Sequence, residues 1–197
     1  MPTEPWQGVP ADTVPRKRRL AARDARAAEL LAAATELFLT RSYAGTKMAD
    51  ISAAAGVARG NVYRYYSSKD DIFAAVMDRM LSREMQTLDS ELRDRDPLTA
   101  LTRSLADMRT SRSLHRALHE RLDHSSAVRE THERFLRWMR SMVYEVLDRH
   151  PQPVDREMIA DLAVALFEGA NAPRSPQRPA HELIRFLLEG VIARAGA

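Results

Sequence analysis

Residues 53–72 read AAAGVARGNVYRYYSSKDDI. Gly56 divides this stretch, because glycine adopts the left-handed backbone conformation of a tight turn at little cost. The residues on either side predict two short helices, at about 47–55 and about 58–65. Two short helices joined by a three- or four-residue turn that contains glycine form a helix-turn-helix. This stretch therefore predicts that motif.

The second predicted helix combines small residues with groups that suit DNA. In a helix-turn-helix this helix enters the major groove, where Arg pairs well with guanine and Asn with adenine. Hydroxyl and cationic side chains beside it contact phosphates and set the register. The candidate DNA-binding residues are Thr46, Lys47, Ala58, Arg59, Gly60, Asn61, Tyr63, Arg64, Tyr65 and Lys69. An aromatic corner of a protein core would also explain YRYY, so the motif alone leaves both interpretations open.

The N-terminal third of the chain is basic. Between Arg16 and Lys69, eleven Lys and Arg stand against four acids, whereas the segment from Phe73 to the end carries 19 of each sign. This asymmetry favours a polyanionic partner for the first part, although a solvated basic face is the alternative. The run RKRR predicts a basic arm that reaches the minor groove or adjacent phosphates. Its residues are Arg16, Lys17, Arg18 and Arg19.

The apolar residues in the rest of the chain follow helical spacing, which predicts helices and no strands. Apolar residues recur at helical spacing over about 21–40, 70–93, 97–109, 113–122, 126–149, 155–170 and 180–195. The predicted N-caps include Thr46, Ser68 and Asp96, the last followed by proline. We expect an all-α fold of about nine helices. Its parts are a disordered tail with the basic arm (1–19), a three-helix DNA-binding domain (20–69) and a helical effector-binding and dimerisation domain (70–197).

The last two predicted helices are apolar over more than one stripe. They contain ADLAVALFEGA (160–170) and LIRFLLEGVIA (183–193). A helix that is apolar on two faces needs cover on two sides. We expect a second copy of the chain to supply that cover, which predicts a homodimer through these helices. A position at the centre of the chain's own core is the alternative.

The composition excludes several classes of protein. The 197 residues are 45% hydrophobic and 29% charged, as in ordinary globular proteins. Cysteine is absent, which excludes disulfides, thiol nucleophiles and thiolate metal sites. No apolar run is long enough for a membrane span or a signal peptide, so we expect a cytoplasmic protein. Without a nucleophile elbow, a phosphate-binding glycine loop or HExxH, we expect no catalytic residue, no enzyme activity and no cofactor.

One histidine pattern suggests a different function. His115, His119 and Asp123 in LHRALHERLDH are spaced four residues apart and share one helix face. Two histidines and a carboxylate can bind a metal, as in a helical metal-dependent oxygenase or hydrolase. The same stripe could be a polar surface with hydrogen bonds between its members. A metal site also needs ligands from a second segment, and because the sequence identifies none, we predict no metal site.

Residues 26–76 resemble the DNA-binding domain of the tetracycline-repressor-like (TetR) family of bacterial transcription regulators. The family pattern comprises an aromatic-Thr-apolar-Ile set, an AGV turn, a glycine-x-apolar-tyrosine set and an aromatic-x-x-lysine set. The matching residues are Tyr43, Thr46, Met48, Ile51, Ala55, Gly56, Val57, Gly60, Val62, Tyr63, Tyr66 and Lys69. The departures are Ser42 in place of glycine, Lys47 in place of a small hydroxyl residue, Asn61 in place of Thr or Ser, and Tyr66 in place of the usual Phe.

The resemblance implies a ligand-responsive regulator that binds double-stranded DNA as a homodimer. Two-fold symmetry implies a palindromic operator whose half-sites lie roughly 34–36 Å apart. Most members repress transcription and some activate it. An effector in the C-terminal domain would favour a dimer geometry that no longer fits this spacing. A dimeric module that binds DNA without sequence preference is the competing function.

The middle helices would form the effector pocket. A lining rich in methionine suits an apolar or aromatic effector. The candidate residues are Met108, Leu118, His119, Leu122, Trp138, Met142 and Tyr144. Each of them could instead be an ordinary core residue.

Overall fold

The computed structural model describes residues 16–108, 112–150, 154–172 and 178–193. Within these ranges it contains eight α-helices, one short 3-10 helix (η1) and no strand, which confirms the all-α prediction. The helices are α1 (Arg16–Arg41), α2 (Met48–Ala54), η1 (Val62–Arg64), α3 (Lys69–Glu91), α4 (Pro97–Asp107), α5 (Arg112–Arg121), α6 (Ser126–Arg149), α7 (Arg156–Asn171) and α8 (Ala180–Ala193). The predicted tail of residues 1–15 lies outside the described residues.

Helix α1 begins at Arg16 rather than near Ala21. The sequence RKRRLAARDARAAEL contains no helix breaker and is rich in Ala, Arg, Lys and Leu, which favour helix. The backbone of residues 16–19 is therefore part of α1 and not of a disordered arm. Contact of these four residues with DNA stays a prediction.

An N-terminal core lies where α1, α2, η1 and the first half of α3 meet α5. It includes the fully buried side chains of Phe38, Ile51, Val62 and Phe73, and the Phe38 and Phe73 rings meet edge to face at 5.4 Å. Helices α5 and α6 complete the same core with Leu114, Ala117, Leu118 and Val128. This core thus includes side chains from both sides of the predicted boundary at residue 70.

A C-terminal core lies between the second half of α3 and helices α4, α6, α7 and α8. Its members include Leu88, Leu101, Met139, Phe167 and Ile184, which are almost completely buried. Helix α3 is common to the two cores, because its first turns bury Phe73 in one and its last turns bury Leu88 in the other. No helix in the described part of the chain is long and apolar enough to cross a bilayer.

Two of the predicted N-caps are confirmed and one is wrong. The Ser68 hydroxyl accepts a hydrogen bond from the Asp71 N–H at 3.0 Å, and the Asp96 carboxylate accepts one from the Thr99 N–H at 3.0 Å. Helix α2 is capped at Lys47 instead of Thr46, and the Asp50 carboxylate accepts the Lys47 N–H at 2.8 Å. The Thr46 hydroxyl is buried and donates to the Ser42 carbonyl at 2.8 Å, so it faces the end of α1.

The connection between α1 and α2 contains an unusual serine. Ser42 has φ 65°, in the left-handed region that favours glycine, and the family resemblance places glycine at this position. A non-glycine residue in this conformation costs on the order of 1 kcal/mol. Gly56, as predicted, has φ 63° and supplies the turn of the helix-turn-helix.

Candidate functional site

Residues 58–66, the recognition segment, do not form a regular α-helix. The Asn61 N–H donates to the Ala58 carbonyl at 2.8 Å and the Arg64 N–H donates to the Asn61 carbonyl at 3.1 Å, which are three-residue steps of the 3-10 type. Only Val62–Arg64 form a helix, so the predicted short helix over about 58–65 is limited to these three residues and is of the 3-10 type. Gly60 and Asn61 have low helix propensity, which accounts for the irregular start.

The recognition segment separates inward from outward side chains. Val62 is fully buried in the N-terminal core, and Tyr65 and Tyr66 pack partly against it. The remaining residues are exposed, namely Ala58, Arg59, Gly60, Asn61, Tyr63 and Arg64. The segment therefore presents two guanidinium groups, an amide and a phenol to solvent, and Lys47 is exposed as well. These groups can contact base edges and phosphates.

Lys69 has an internal role in the structure. Its Nζ donates to the Tyr43 carbonyl at 3.0 Å and the Thr46 carbonyl at 3.1 Å, and it lies 3.9 Å from the centre of the Tyr43 ring. Burial lowers the pKa of Lys69, while the nearby Asp70 carboxylate opposes that effect. Lys69 thus holds the α1–α2 connection against the start of α3. Contacts of Lys69, Thr46 and Tyr65 with DNA stay predictions.

Asp70 connects α5 to the predicted DNA-binding domain. Nε and Nη2 of Arg121 donate to its two carboxylate oxygens at 3.0 and 2.7 Å, a bidentate pair. The Tyr43 hydroxyl also donates to Asp70. Burial would raise the pKa of Asp70, but the hydrogen bonds from Arg121 and Tyr43 outweigh it and hold the pKa below its ordinary value.

We expect Asp70→Asn to lower the free energy of unfolding by about 1–3 kcal/mol at neutral pH, because hydrogen bonds to a charged group are lost. The folded state lowers the pKa of Asp70 below its ordinary value of 3.8. The wild type therefore has its full excess of unfolding free energy over Asp70→Asn above pH 3.8. It is lost as the pH falls through the lower folded pKa. Urea unfolding at neutral pH and at about pH 3 measures both effects.

The control for this prediction is Asp78→Asn on the same helix. Asp78 also pairs with an arginine, Arg134, but both side chains of that pair are well exposed. An exposed ion pair contributes at most about 1 kcal/mol. Equal losses for the two variants would contradict a special role for Asp70.

A cavity of about 100 Å³ lies between α3, α4, α5 and α6 and is closed by α7 and α8. Methionine and aromatic side chains line much of it. Its wall includes Met77, Met80, Leu81, Leu105, Met108, Leu118, Phe135 and Phe167. Two predicted pocket residues, Met108 and Leu118, are among them.

The other predicted pocket residues lie elsewhere. Trp138 is buried in the C-terminal core, Met142 and Tyr144 pack at its edge, Leu122 packs against the N-terminal core, and His119 lies in a histidine cluster described below. Sequence reasoning missed the cavity residues of α3. A charged residue, Glu84, continues the Met77–Met80 face of that helix, and this interruption was a signal of a polar group facing inward.

Two polar groups in the cavity wall are notable. Glu84 accepts a hydrogen bond from the Ser104 hydroxyl at 3.2 Å, and burial raises the pKa of this carboxyl. Nδ1 of His181 is buried and has no hydrogen-bond partner among the residues that the structure describes. A buried polar atom without a hydrogen-bond partner is energetically unfavourable. A ligand that forms a hydrogen bond with Nδ1 of His181 therefore binds more favourably in the cavity.

The histidine cluster consists of His115 and His119 from α5, His132 from α6 and Glu168 from α7. Nε2 of His119 lies 2.9 Å from one carboxylate oxygen of Glu168, and Nε2 of His115 and His132 lie 3.8 and 3.5 Å from the other. The Nε2 atoms of His115 and His119 are 3.0 Å apart. Asp123 is exposed and lies outside the cluster. The sequence did not identify Glu168 or His132, since only the packing of α6 and α7 on α5 brings them to the pair.

Burial has a strong effect on the protonation of this cluster. Burial, with the neighbouring His119, lowers the pKa of His115 to about 4. Burial would raise the pKa of Glu168, but hydrogen bonds with His119 and His132 outweigh it and lower the pKa to about 2. At neutral pH the cluster therefore holds a neutral His115 beside a carboxylate.

Residues 30–76 match the family model described as "Bacterial regulatory proteins, tetR family". The chain is 35% identical over 150 residues to the HTH-type transcriptional repressor Rv3405c of Mycobacterium tuberculosis (strain ATCC 25618 / H37Rv), and the alignment covers 76% of this chain and 72% of that protein. A transcriptional regulator from Rhodococcus sp. Rha1 shares the fold with a TM-score of 0.68 and 19% identity over 87% of this chain and 98% of its own. Thermus thermophilus FadR, a TetR-family repressor solved in complex with lauroyl-CoA, shares the fold with a TM-score of 0.62. It is 19% identical, and the match covers 84% of this chain and 92% of FadR.

Proposed function

The chain belongs to the TetR family of bacterial regulatory proteins, and from this premise we propose that it represses transcription as a homodimer on a palindromic operator. A small apolar or aromatic effector in the cavity releases the dimer from DNA. Membership of the family makes the chain a DNA-binding transcription regulator and not an enzyme. The repressor Rv3405c, at 35% identity, supports repression rather than activation.

The exposed face of the recognition segment carries this proposal. Arg59 and Asn61 offer the donors that pair with guanine and adenine, and Tyr63 and Arg64 offer phosphate contacts beside them. Val62 anchors the segment in the N-terminal core, which sets the position of these side chains. The surplus of seven positive charges between residues 16 and 69 supports attraction to the phosphate backbone.

Exposed apolar side chains on α7 and α8 support the homodimer. Met158, Leu162 and Phe186 are 57%, 44% and 81% exposed, although they are large and apolar. Helices α7 and α8 pack against each other, and a second copy that adds its own pair would cover these side chains. Such a dimer presents two recognition segments, which suits half-sites about one turn of DNA apart.

The size of the cavity suggests how an effector acts. About 100 Å³ is small beside the roughly 300–1000 Å³ of typical ligand sites, so a larger effector must move the surrounding helices apart. Helices α3 and α5 line the cavity and also carry Asp70 and Arg121, which hold the DNA-binding part in place. Movement of these helices would couple effector and operator binding, typically by about 1–3 kcal/mol.

Selection of bound duplexes from a random DNA pool by the purified chain tests the proposed function. We expect an enriched palindrome at about 150 mM salt. Arg59→Ala should weaken binding to it by about 1–3 kcal/mol and relax the base preference at one position in each half-site. Tyr63→Phe, which removes a phosphate donor, should weaken binding to all duplexes alike by about 1 kcal/mol.

Fluorescence anisotropy with selected and scrambled duplexes separates these effects. The control is Arg83→Ala, which removes an exposed arginine from α3 far from the recognition segment. Equal affinity of the wild type for both duplexes would favour the module without sequence preference. If Arg59→Ala and Arg83→Ala lose the same affinity, the recognition segment is misplaced.

A further inference from the structure

Three donor groups from two helices converge in the histidine cluster. We propose that His115, His119 and Glu168 bind a divalent transition metal ion such as Zn²⁺, and that His132 holds the carboxylate in position. Imidazole nitrogens and carboxylate oxygens are ligands that Zn²⁺ and related ions prefer, and two histidines with one glutamate form a known zinc ligand set. The donor atoms of these three residues all lie within 4.8 Å of one another.

The distances suit an ion at the centre. Bonds of about 2.0–2.1 Å to a tetrahedral Zn²⁺ place neighbouring donor atoms roughly 3.4 Å apart. The Nε2 atoms of His115 and His119 lie 3.0 Å apart, Oε2 of Glu168 lies 2.9 Å from Nε2 of His119, and Oε1 of Glu168 lies 3.8 Å from Nε2 of His115. One donor atom from each of the three residues already lies within 4.8 Å of the other two, so adjustment of the side chains brings them to an ion without rearrangement of the helices.

Hydrogen bonds among His115, His119 and Glu168 cannot pair all of their polar atoms well. Nε2 of His119 lies about equally close to a Glu168 oxygen and to Nε2 of His115. A single N–H on His119 cannot point well at both acceptors, and if His115 donates instead, His119 presents a lone pair to the carboxylate. A cation between the three atoms accepts all three lone pairs at once.

The surrounding structure supports the site. The spacing of four residues places His115 and His119 on one face of α5, and α7 supplies Glu168 from the opposite side. His115 and His132 are mostly buried, whereas His119 lies nearer the surface and leaves a route for an ion. The hydrogen bond between His132 and Glu168 is of the kind that orients metal ligands in known sites.

Metal binding by the full-length chain tests this inference without DNA or effector. The chain is treated with a chelator, dialysed and titrated with Zn²⁺ by calorimetry, and Co²⁺ is added separately to follow the visible absorption that reports its coordination geometry. We expect about one ion per chain and a Co²⁺ spectrum typical of nitrogen and oxygen ligands. His119→Ala and Glu168→Gln should each weaken Zn²⁺ binding by more than the roughly 10- to 100-fold that loss of a supporting residue costs.

His124→Ala is the matched control, because His124 is an exposed histidine just beyond the end of α5 and lies outside the cluster. It should bind Zn²⁺ as the wild type does. Zn²⁺ should also raise the Tm of the wild type and of this control, but not of Glu168→Gln, whose shape is nearly unchanged. Absence of stoichiometric Zn²⁺ and Co²⁺ binding by the wild type, or equal losses in Glu168→Gln and His124→Ala, would overturn the inference.

Discussion

Phe186→Glu is expected to convert the proposed homodimer into monomers. The Phe186 side chain is 81% exposed in the single chain, so the substitution hardly changes the stability of the monomer. A two-fold interface contains the residue twice, and each lost anchor costs about 2 kcal/mol or more. The free energy of dimerisation should therefore become less favourable by about 4 kcal/mol, which raises the dissociation constant of the dimer roughly 1,000-fold. Sedimentation velocity over a range of concentrations measures it.

The same substitution should also abolish tight operator binding. A monomer reaches one half-site only and loses the avidity of two linked contacts, which is typically worth about 100-fold or more. Leu39→Glu is the matched control, since Leu39 is a 44% exposed apolar residue on α1, away from α7 and α8. An unchanged dimer in Phe186→Glu would show that another surface joins the two copies.

Phe38→Ala is expected to have the largest effect on stability. Phe38 is fully buried in the N-terminal core, where its ring lies 5.4 Å from that of Phe73 and 5.8 Å from that of Tyr43. Removal of a buried phenylalanine ring typically costs about 3–5 kcal/mol, because apolar contacts are lost and a cavity remains. That is a large part of the roughly 5–15 kcal/mol by which most domains are stable. Urea unfolding followed by circular dichroism measures the change.

Leu39→Ala serves as the neighbouring control. Leu39 follows Phe38 on α1 but is 44% exposed, so truncation of its side chain should cost only about 0.5 kcal/mol. A loss below about 1 kcal/mol for Phe38→Ala would mean that the N-terminal core collapses around the missing ring. A similar loss for both variants would contradict the assigned burial of Phe38.

Local chemistry predicted most of the fold. The N-cap residues Ser68 and Asp96 were found from the sequence because a cap involves neighbours within three residues. The start of α6 at Ser126 was predicted from the spacing of its apolar residues. The recognition segment was predicted as a short helix from the residues that follow the Gly56 turn, but the low helix propensity of Gly60 and Asn61 limits the helix to Val62–Arg64.

Contacts between segments that are distant along the chain could not be predicted from the sequence. The sequence predicts Lys69 to be a cation available to phosphates. In the folded chain its Nζ instead donates hydrogen bonds to two carbonyls of the α1–α2 connection. Glu168 reads as one acid among many, but α7 carries it to the histidines of α5, about fifty residues earlier in the chain. Periodicity specifies which face of a helix is buried, but not which distant side chain meets it.

The composition of the N-terminal core bears on how such regulators diversify. Leu114 and Leu118, which help to close this core, belong to α5, outside the predicted DNA-binding domain, and α3 contributes to both cores. The DNA-reading part is therefore not a transferable module that ends at residue 69. A chimera that joins it to a foreign sensor must keep α3 and an apolar helix in the place of α5. Exchange of C-terminal halves between relatives is consequently constrained where α5 closes the N-terminal core.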